Sequence, residues 1–407
     1  MKAKRHQSDS SSPDVSLSVL FWIFFRIACT SFGGFMAMIA VVENVVVERK
    51  KLLTHQEMLN GISLASMLPG PVAVNVCTYV GYRLRGGMGA LVAASAAILP
   101  AFVLVVALSA VYFRWGQIPA VNKLFMGFIP AVTAVIVAAA WNMSRKLLVG
   151  AREDAIAIGA FAVLLGIGGF YSTLAIIVGA GVIGWLLFRT ECGTTSKPGK
   201  NKLGKKRTTS GSGFNAHAFL LATTPMVSVP WWNLDPAILT KLFAVFAGMS
   251  VMLFGGGYVF IPLIQEIVVN HHQWVTPQEF VDGIALGQIT PGPILVSAAF
   301  IGLKVAGLAG AAVATVAIFA PPAVLMVAAS RAFERLQRSS AIQAALRGVR
   351  PAVIGMIFAA AVIVGRSAVP VWYSIAIFAV ALYALIRFRV EAVWVIPAAG
   401  LAGWWLY

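Results

Sequence analysis

Apolar residues run along this chain in long blocks, not in the alternation of a strand or the one-sided stripe of a soluble helix. About a dozen such blocks follow one another from Leu17 onward, many near the roughly 20 residues that a bilayer core demands. The pattern predicts helices buried all round in lipid and protein. Two tripeptide types interrupt the blocks. Phe32-Gly33-Gly34 and Phe254-Gly255-Gly256-Gly257 are glycine breaks; Pro69-Gly70-Pro71 and Pro291-Gly292-Pro293 are proline breaks. Proline lacks an N–H, clashes with the preceding turn and pushes the residue before it out of the helical region.

The breaks recur in register. An offset of 222 residues pairs the two glycine motifs, Thr54 with Thr276, Glu57 with Glu279, and the two proline motifs. One residue is then dropped, and an offset of 221 pairs Gly81 with Gly302, Arg83 with Lys304, Gly86 with Gly307 and Pro130 with Pro351. The period is too long for a solenoid. A duplicated membrane half is the mark of a transporter.

Loop charges indicate how the halves lie. Parallel halves would have matched loops basic together; inverted halves would have them basic in opposite copies. Arg114 and Lys123 stand against Arg331, Arg335, Arg338, Arg347 and Arg350. Further on, Arg145, Lys146 and Arg152 stand against Arg366, and an uncharged Gly169-Phe170-Tyr171 stands against Arg387 and Arg389. All three comparisons change sign, which predicts inversion. Inversion requires an extra crossing, for which Phe214 to Trp232 is the candidate. The division expected is a cytoplasmic tail at 1–14, an N-terminal half at 15–190, a basic cytoplasmic linker at 191–213, an extra span at 214–235 and a C-terminal half at 236–407. Arg49-Lys50-Lys51 fits a cytoplasmic position only if the glycine and proline segments re-enter instead of spanning; both alternatives stay open. The fold class is thus an all-α polytopic membrane protein of two homologous halves in inverted topology, with broken or re-entrant helices.

Composition agrees. Of 407 residues 59% are hydrophobic and 11% charged, against about a quarter charged in soluble domains, and mean hydropathy is +0.87. The net charge of +17 reads as orientation by loop Lys and Arg, not as a nucleic-acid surface. The first apolar run is expected to be retained as a span, with the N-terminus cytoplasmic. Cys29, Cys77 and Cys192 lack disulfide or metal spacing, the histidines show no ligand pattern, and no Walker motif offers a nucleotide site. No cofactor or metal is expected.

Candidate chemistry gathers at the breaks. The second proline of each Pro-Gly-Pro suits the first residue of a new helix. The N–H groups that follow, near Asn75 and Ser297, would then lack partners at the positive end of a dipole, an anion site. The glycines let backbone approach a ligand. Arg26, within an apolar segment, is a functional candidate because an intramembrane charge is costly; the plainer reading is a snorkelling side chain. Arg83 and Lys304 are anion ligands or helix-end anchors. The candidate substrate residues are Arg26, Ser31, Gly33, Gly34, Pro69, Gly70, Pro71, Asn75, Arg83, Gly255, Gly256, Gly257, Thr290, Pro291, Gly292, Pro293, Ser297 and Lys304. Glu57, Glu279 and Asp282 are proton-coupling candidates, although Thr54 with Glu57 and Thr276 with Glu279 also read as capping boxes.

At Arg26 with Thr30-Ser31-Phe32-Gly33-Gly34, Leu68-Pro69-Gly70-Pro71, Gly81-Tyr82-Arg83, Phe254-Gly255-Gly256-Gly257-Tyr258 with Ile261-Pro262, and Gly287-Gln288-Ile289-Thr290-Pro291-Gly292-Pro293, the chain resembles the chromate ion transporter (CHR) family in its long, two-domain form. The resemblance spans nearly the whole chain. It implies a bacterial inner-membrane protein with antiparallel halves that exports chromate and confers resistance to it. Members commonly carry Pro and a nearby His after the first glycine pair, where this chain has Phe35-Met36-Ala37-Met38, so sulfate or another oxyanion stays open as substrate. The expected partners are the oxyanion and the lipid bilayer, with a homodimer allowed and no nucleic acid. An enzyme acting on lipid phosphates is the alternative of another class; the nucleophile with a base, or the metal ligands, that it would use are not found.

Overall fold

The computed structural model describes residues 15–31, 34–115, 119–148, 150–189, 235–253, 260–332, 339–366 and 368–407. The tail at 1–14, the linker at 191–213 and all of the extra span except Asp235 therefore lie outside the described residues, as do Gly33 and Gly255 to Gly257. The described residues are helical, without a strand. In the first half these are α1 (Leu17–Thr30), α2 (Gly34–Glu43, extended by a π-helical turn Asn44–Arg49), α3 (His55–Met67), α4 (Val72–Trp115), α5 (Pro119–Leu147), α6 (Ala151–Gly166) and α7 (Gly169–Phe188). The second half repeats the order: α8 (Pro236–Val251), α9 (Phe260–Gln265, with a π-helical turn Glu266–His271), α10 (Pro277–Ile289), α11 (Ser297–Arg331), α12 (Ser340–Gly365), α13 (Trp372–Tyr383) and α14 (Ala392–Leu406). Among the described residues five helices are long and apolar enough to cross a membrane, four of the shorter ones are apolar as well, and α5 and α12 are the most enclosed of the spans.

Each of the two longest helices doubles back. In α4 the helical path breaks at Arg85 (φ −141°) and Gly86 (φ 60°, ψ −149°), and in α11 at Ala306 (φ −141°) and Gly307 (φ 62°, ψ −153°). A left-handed φ suits glycine because a side chain would clash there. Around each turn two glycines let the limbs touch backbone to backbone, Gly81 on Gly89 and Gly302 on Gly310.

The Pro-Gly-Pro motifs also join antiparallel limbs. The Glu57 carboxylate pairs with Arg83 at 2.5 Å, and Gly61 lies against the Tyr79 ring. Both pairs are centred on Gly70, so α3 and the first limb of α4 form a hairpin with Pro-Gly-Pro at its tip. In the second half Glu279 pairs with Lys304 and Gly283 lies against the Phe300 ring, centred on the second Pro-Gly-Pro. With 13 residues in α3 and in α10, each hairpin is about 20 Å deep.

The two hairpins point at each other. From Gly86 the second limb of α4 runs about 27 residues, roughly 40 Å, to Tyr112 and Phe113. There Tyr112 bonds Asp282 of α10 at 2.8 Å, and Lys304 lies 5.5 Å over the Phe113 ring, both at the base of the second hairpin. Symmetrically, α11 ends at Arg331, whose Nε donates to the Tyr82 hydroxyl at 3.1 Å beside the base of the first. Midway, Gly70 packs on Pro322 of α11 and Gly292 on Ala101 of α4, equivalent contacts under the 221–222 offset. Reciprocal contact of this kind is what a two-fold relation produces. The axis lies across the long limbs, so the halves are antiparallel.

The halves interleave. α4 packs on α11, and each carries the first helix of its own half, α1 or α8. Beyond them α5 packs on α13 and α14, while α12 packs on α6 and α7. Small residues make these crossings close: Gly184 meets Gly348, Gly127 meets Gly403, and Gly355 meets the backbone at Ala157. Close backbone approach through small residues is how helices associate within lipid.

Candidate functional site

At each tip a helix ends, the chain turns and a helix begins. The Thr54 and Thr276 capping boxes start α3 and α10. Gly70 adopts φ 102° and Gly292 φ 133°. In the first copy α4 begins directly after Pro71, and its first main-chain bond of this kind is Asn75 N–H to Pro71 O at 3.0 Å. Among the described residues the amides of Val72 to Val74 are thus the free donors of a helix start. In the second copy a 3₁₀ turn, Ile294–Val296, precedes α11 and brings Val296 N–H onto Pro293 O at 3.0 Å.

The polar candidates at the tips are enclosed. Asn75, Ser297, Thr290 and Ser31 are 1%, 1%, 5% and 2% exposed. Asn75 Nδ2 donates to Pro69 O at 3.1 Å, whereas its Oδ1 has no partner among the described residues. Ser297 donates to Ile294 O at 2.8 Å, Thr290 to Gly287 O at 2.9 Å and Ser31 to Ile27 O at 2.6 Å. Gly70 N–H donates to Leu253 O at 2.6 Å, so the residue just before the second glycine motif touches the first proline motif. Gly34, matched to Gly256, opens α2.

Other candidates stand elsewhere. Arg83 and Lys304 are at the hairpin bases, about 20 Å from the tips, held by Glu57 and Glu279. Those glutamates also close the capping boxes, each accepting from the N–H of its threonine at 2.9 Å. Arg26 is exposed on α1 and makes no ion pair among the described residues. The His271 and His272 rings lie 4.6 Å apart and His272 stacks on Trp274; among the described residues no cluster could hold a metal.

Asp282 is the exception among the acids. It is 1% exposed, accepts from Tyr112 at 2.8 Å and from Gln278 at 3.1 Å, and its counterpart Asn60 is an amide bonded to Gln56 at 3.1 Å. Tyr112 escaped the sequence reading because nothing local sets it apart; its partner lies 170 positions away. A cavity of about 970 Å³ between α5, α6, α12 and α13 is lined almost entirely by apolar side chains such as Val137, Phe161 and Phe358. Thr133, Asp154, Arg366 and Ser374 are the polar residues of that lining. A more polar cleft of about 570 Å³ opens at the base of the second hairpin, lined by Asn270, Gln273, Thr276, Glu279 and Lys304.

Two repeated halves, opposed hairpins and buried helix starts define a multi-pass membrane transport protein with an internal repeat. The chain belongs to the chromate transporter family, whose model matches residues 18–185 and 240–404. It is 28% identical to a chromate transport protein of Cupriavidus metallidurans over 88% of this chain and 85% of that one. It is 29% identical to a probable chromate transport protein of Synechococcus elongatus over 92% and 90%. An uncharacterized transporter of Bacillus subtilis matches 40% of this chain with 93% of its own length, at 30% identity. No solved structure matches the chain.

Proposed function

We propose that this protein exports chromate, or a closely related tetrahedral oxyanion, across the bacterial inner membrane, and that export confers chromate resistance. The observation that carries the reading is that each proline tip packs about midway along the long limb of the opposite half, Gly70 on Pro322 and Gly292 on Ala101, between hairpin bases about 40 Å apart. Broken helices that converge at the midplane from opposed repeats suit a carrier, and their N-termini suit an anion. Each hairpin, too short to cross a 30 Å core, re-enters. With the glycine segment re-entering as well, Arg49-Lys50-Lys51 returns to the cytoplasmic side with the N-terminus. The substrate contacts are the amides after Pro71 and Pro293, Asn75, Ser297 and Thr290, and Arg26 on α1 is a further candidate apart from the tips.

Energetics favour outward movement. An inside-negative potential contributes about 2.3 kcal/mol per charge per 100 mV, hence about 4.6 kcal/mol for an expelled dianion. That equals about three decades of concentration at 1.36 kcal/mol each, so efflux needs no nucleotide. Phe35 to Met38, where the family resemblance implies Pro and a nearby His, keeps sulfate and molybdate among the substrates to compare. In proteoliposomes with a clamped potential, chromate moves outward from the cytoplasmic face, and Arg26→Ala inserts normally but carries none. Absence of potential-dependent chromate movement alongside transport of another oxyanion would overturn the substrate.

A further inference from the structure

One polar bond between the halves ends on an enclosed carboxylate, with its tyrosine donor half-buried. Asp282, in the second hairpin, is 1% exposed. Both its oxygens are used: Oδ2 accepts from the Tyr112 hydroxyl at 2.8 Å and Oδ1 from Gln278 at 3.1 Å. Tyr112 belongs to the other half, and its ring is packed by Phe113, Phe125 and Phe300 at 4.8–5.3 Å. A different bond joins the halves at the opposite end: Arg331 to Tyr82 is exposed and carries a fixed positive charge.

We propose that Asp282 is the proton-binding site of the transport cycle and that Tyr112 ties its protonation to the relative position of the two halves. The proposal rests on the carrier reading and adds a ligand, the proton, at a site distinct from the tips. A buried carboxylate is tolerated as an ion only while donors satisfy it. Here one of the two donors comes from the other half. Separating the halves removes Tyr112 and leaves an ion that must be hydrated or neutralised; taking up a proton neutralises it. Proton occupancy and half-to-half movement are thereby linked.

The surroundings support this assignment. Glu279, the neighbouring acid on α10, is engaged by Lys304 and the Thr276 amide. α14, packed on α10, has no ionisable residue between Ala392 and Leu406. α5 brings Phe125 against Tyr112, and its Lys123 is exposed. α9 ends in Gln265, which is uncharged. Asp282 is thus the one buried titratable carboxylate of its hairpin, and the first hairpin has Asn60 instead.

Proteoliposomes of the full chain, loaded with chromate and an internal pH dye under a clamped potassium potential, test this directly. Wild type should move protons with chromate and show a pH-dependent rate. Asp282→Asn should transport with a flat pH profile and no dye response. Tyr112→Phe, which keeps the ring and loses one donor to the ionised carboxylate, should raise the profile's midpoint by about one pH unit, a tenfold change in proton affinity. Unchanged pH dependence and proton movement in Asp282→Asn would overturn the proposal. If that variant fails to insert, an unshifted midpoint in Tyr112→Phe does so. Chromate movement by wild type without any proton signal would refute the proton site and leave the carrier standing; no anion movement at all would remove the carrier reading itself.

Discussion

Single residues carry the midplane contact. Gly70 combines φ 102° with Pro322 packed where a β-carbon would stand, and Gly292 combines φ 133° with the Ala101 methyl at 2.9 Å from that position. Alanine at either site strains the backbone, typically by 1–3 kcal/mol, and overfills a packed contact. Gly70→Ala should lower the detergent melting temperature more than Gly292→Ala, because a proline ring yields less readily than a methyl group. No loss in either variant would show that the tips do not bear on the opposite half, and equal losses would refute the ranking. The sequence identified these residues through their duplication alone. It could not say what they touch, since Gly70 and Pro322 are 252 positions apart and no periodicity connects them.

At the scale of elements, short hairpins were legible and the long ones were not. Proline announces a break, so the paired tips could be anticipated, whereas the charge of Arg49 to Lys51 left spanning and re-entry both open. Arg85-Gly86-Gly87 reads locally as an ordinary stretch beyond a polar helix end. Its reversal rests on Gly81 touching Gly89, a fact of packing that composition does not encode. These glycines differ in a measurable way. Gly81→Ala should destabilise the protein by the 1–3 kcal/mol of an overpacked core. Gly87→Ala, whose β-carbon meets nothing within 4 Å, should be neutral or stabilise by about 0.4–1 kcal/mol. Thermal unfolding of the two variants in one detergent checks the contrast.

For the whole molecule, opposed halves place matched loops on opposite faces. Lys51 and Gln273 are equivalent by offset, and share the left-handed backbone with φ 50° and 52°. Cysteines at the two positions should react with a membrane-impermeant maleimide from opposite sides of the membrane. Reaction from the same side would refute the inverted arrangement. The interleaving of helices has a consequence in time. α5 finds its partners, α13 and α14, only after the second half exists, about 200 residues later. At 5–20 residues per second the first half waits roughly 10–40 s in the bilayer with its innermost helix uncovered. During that interval lipid or the insertion machinery must stand in for the missing half, which makes the pace of synthesis itself a determinant of yield.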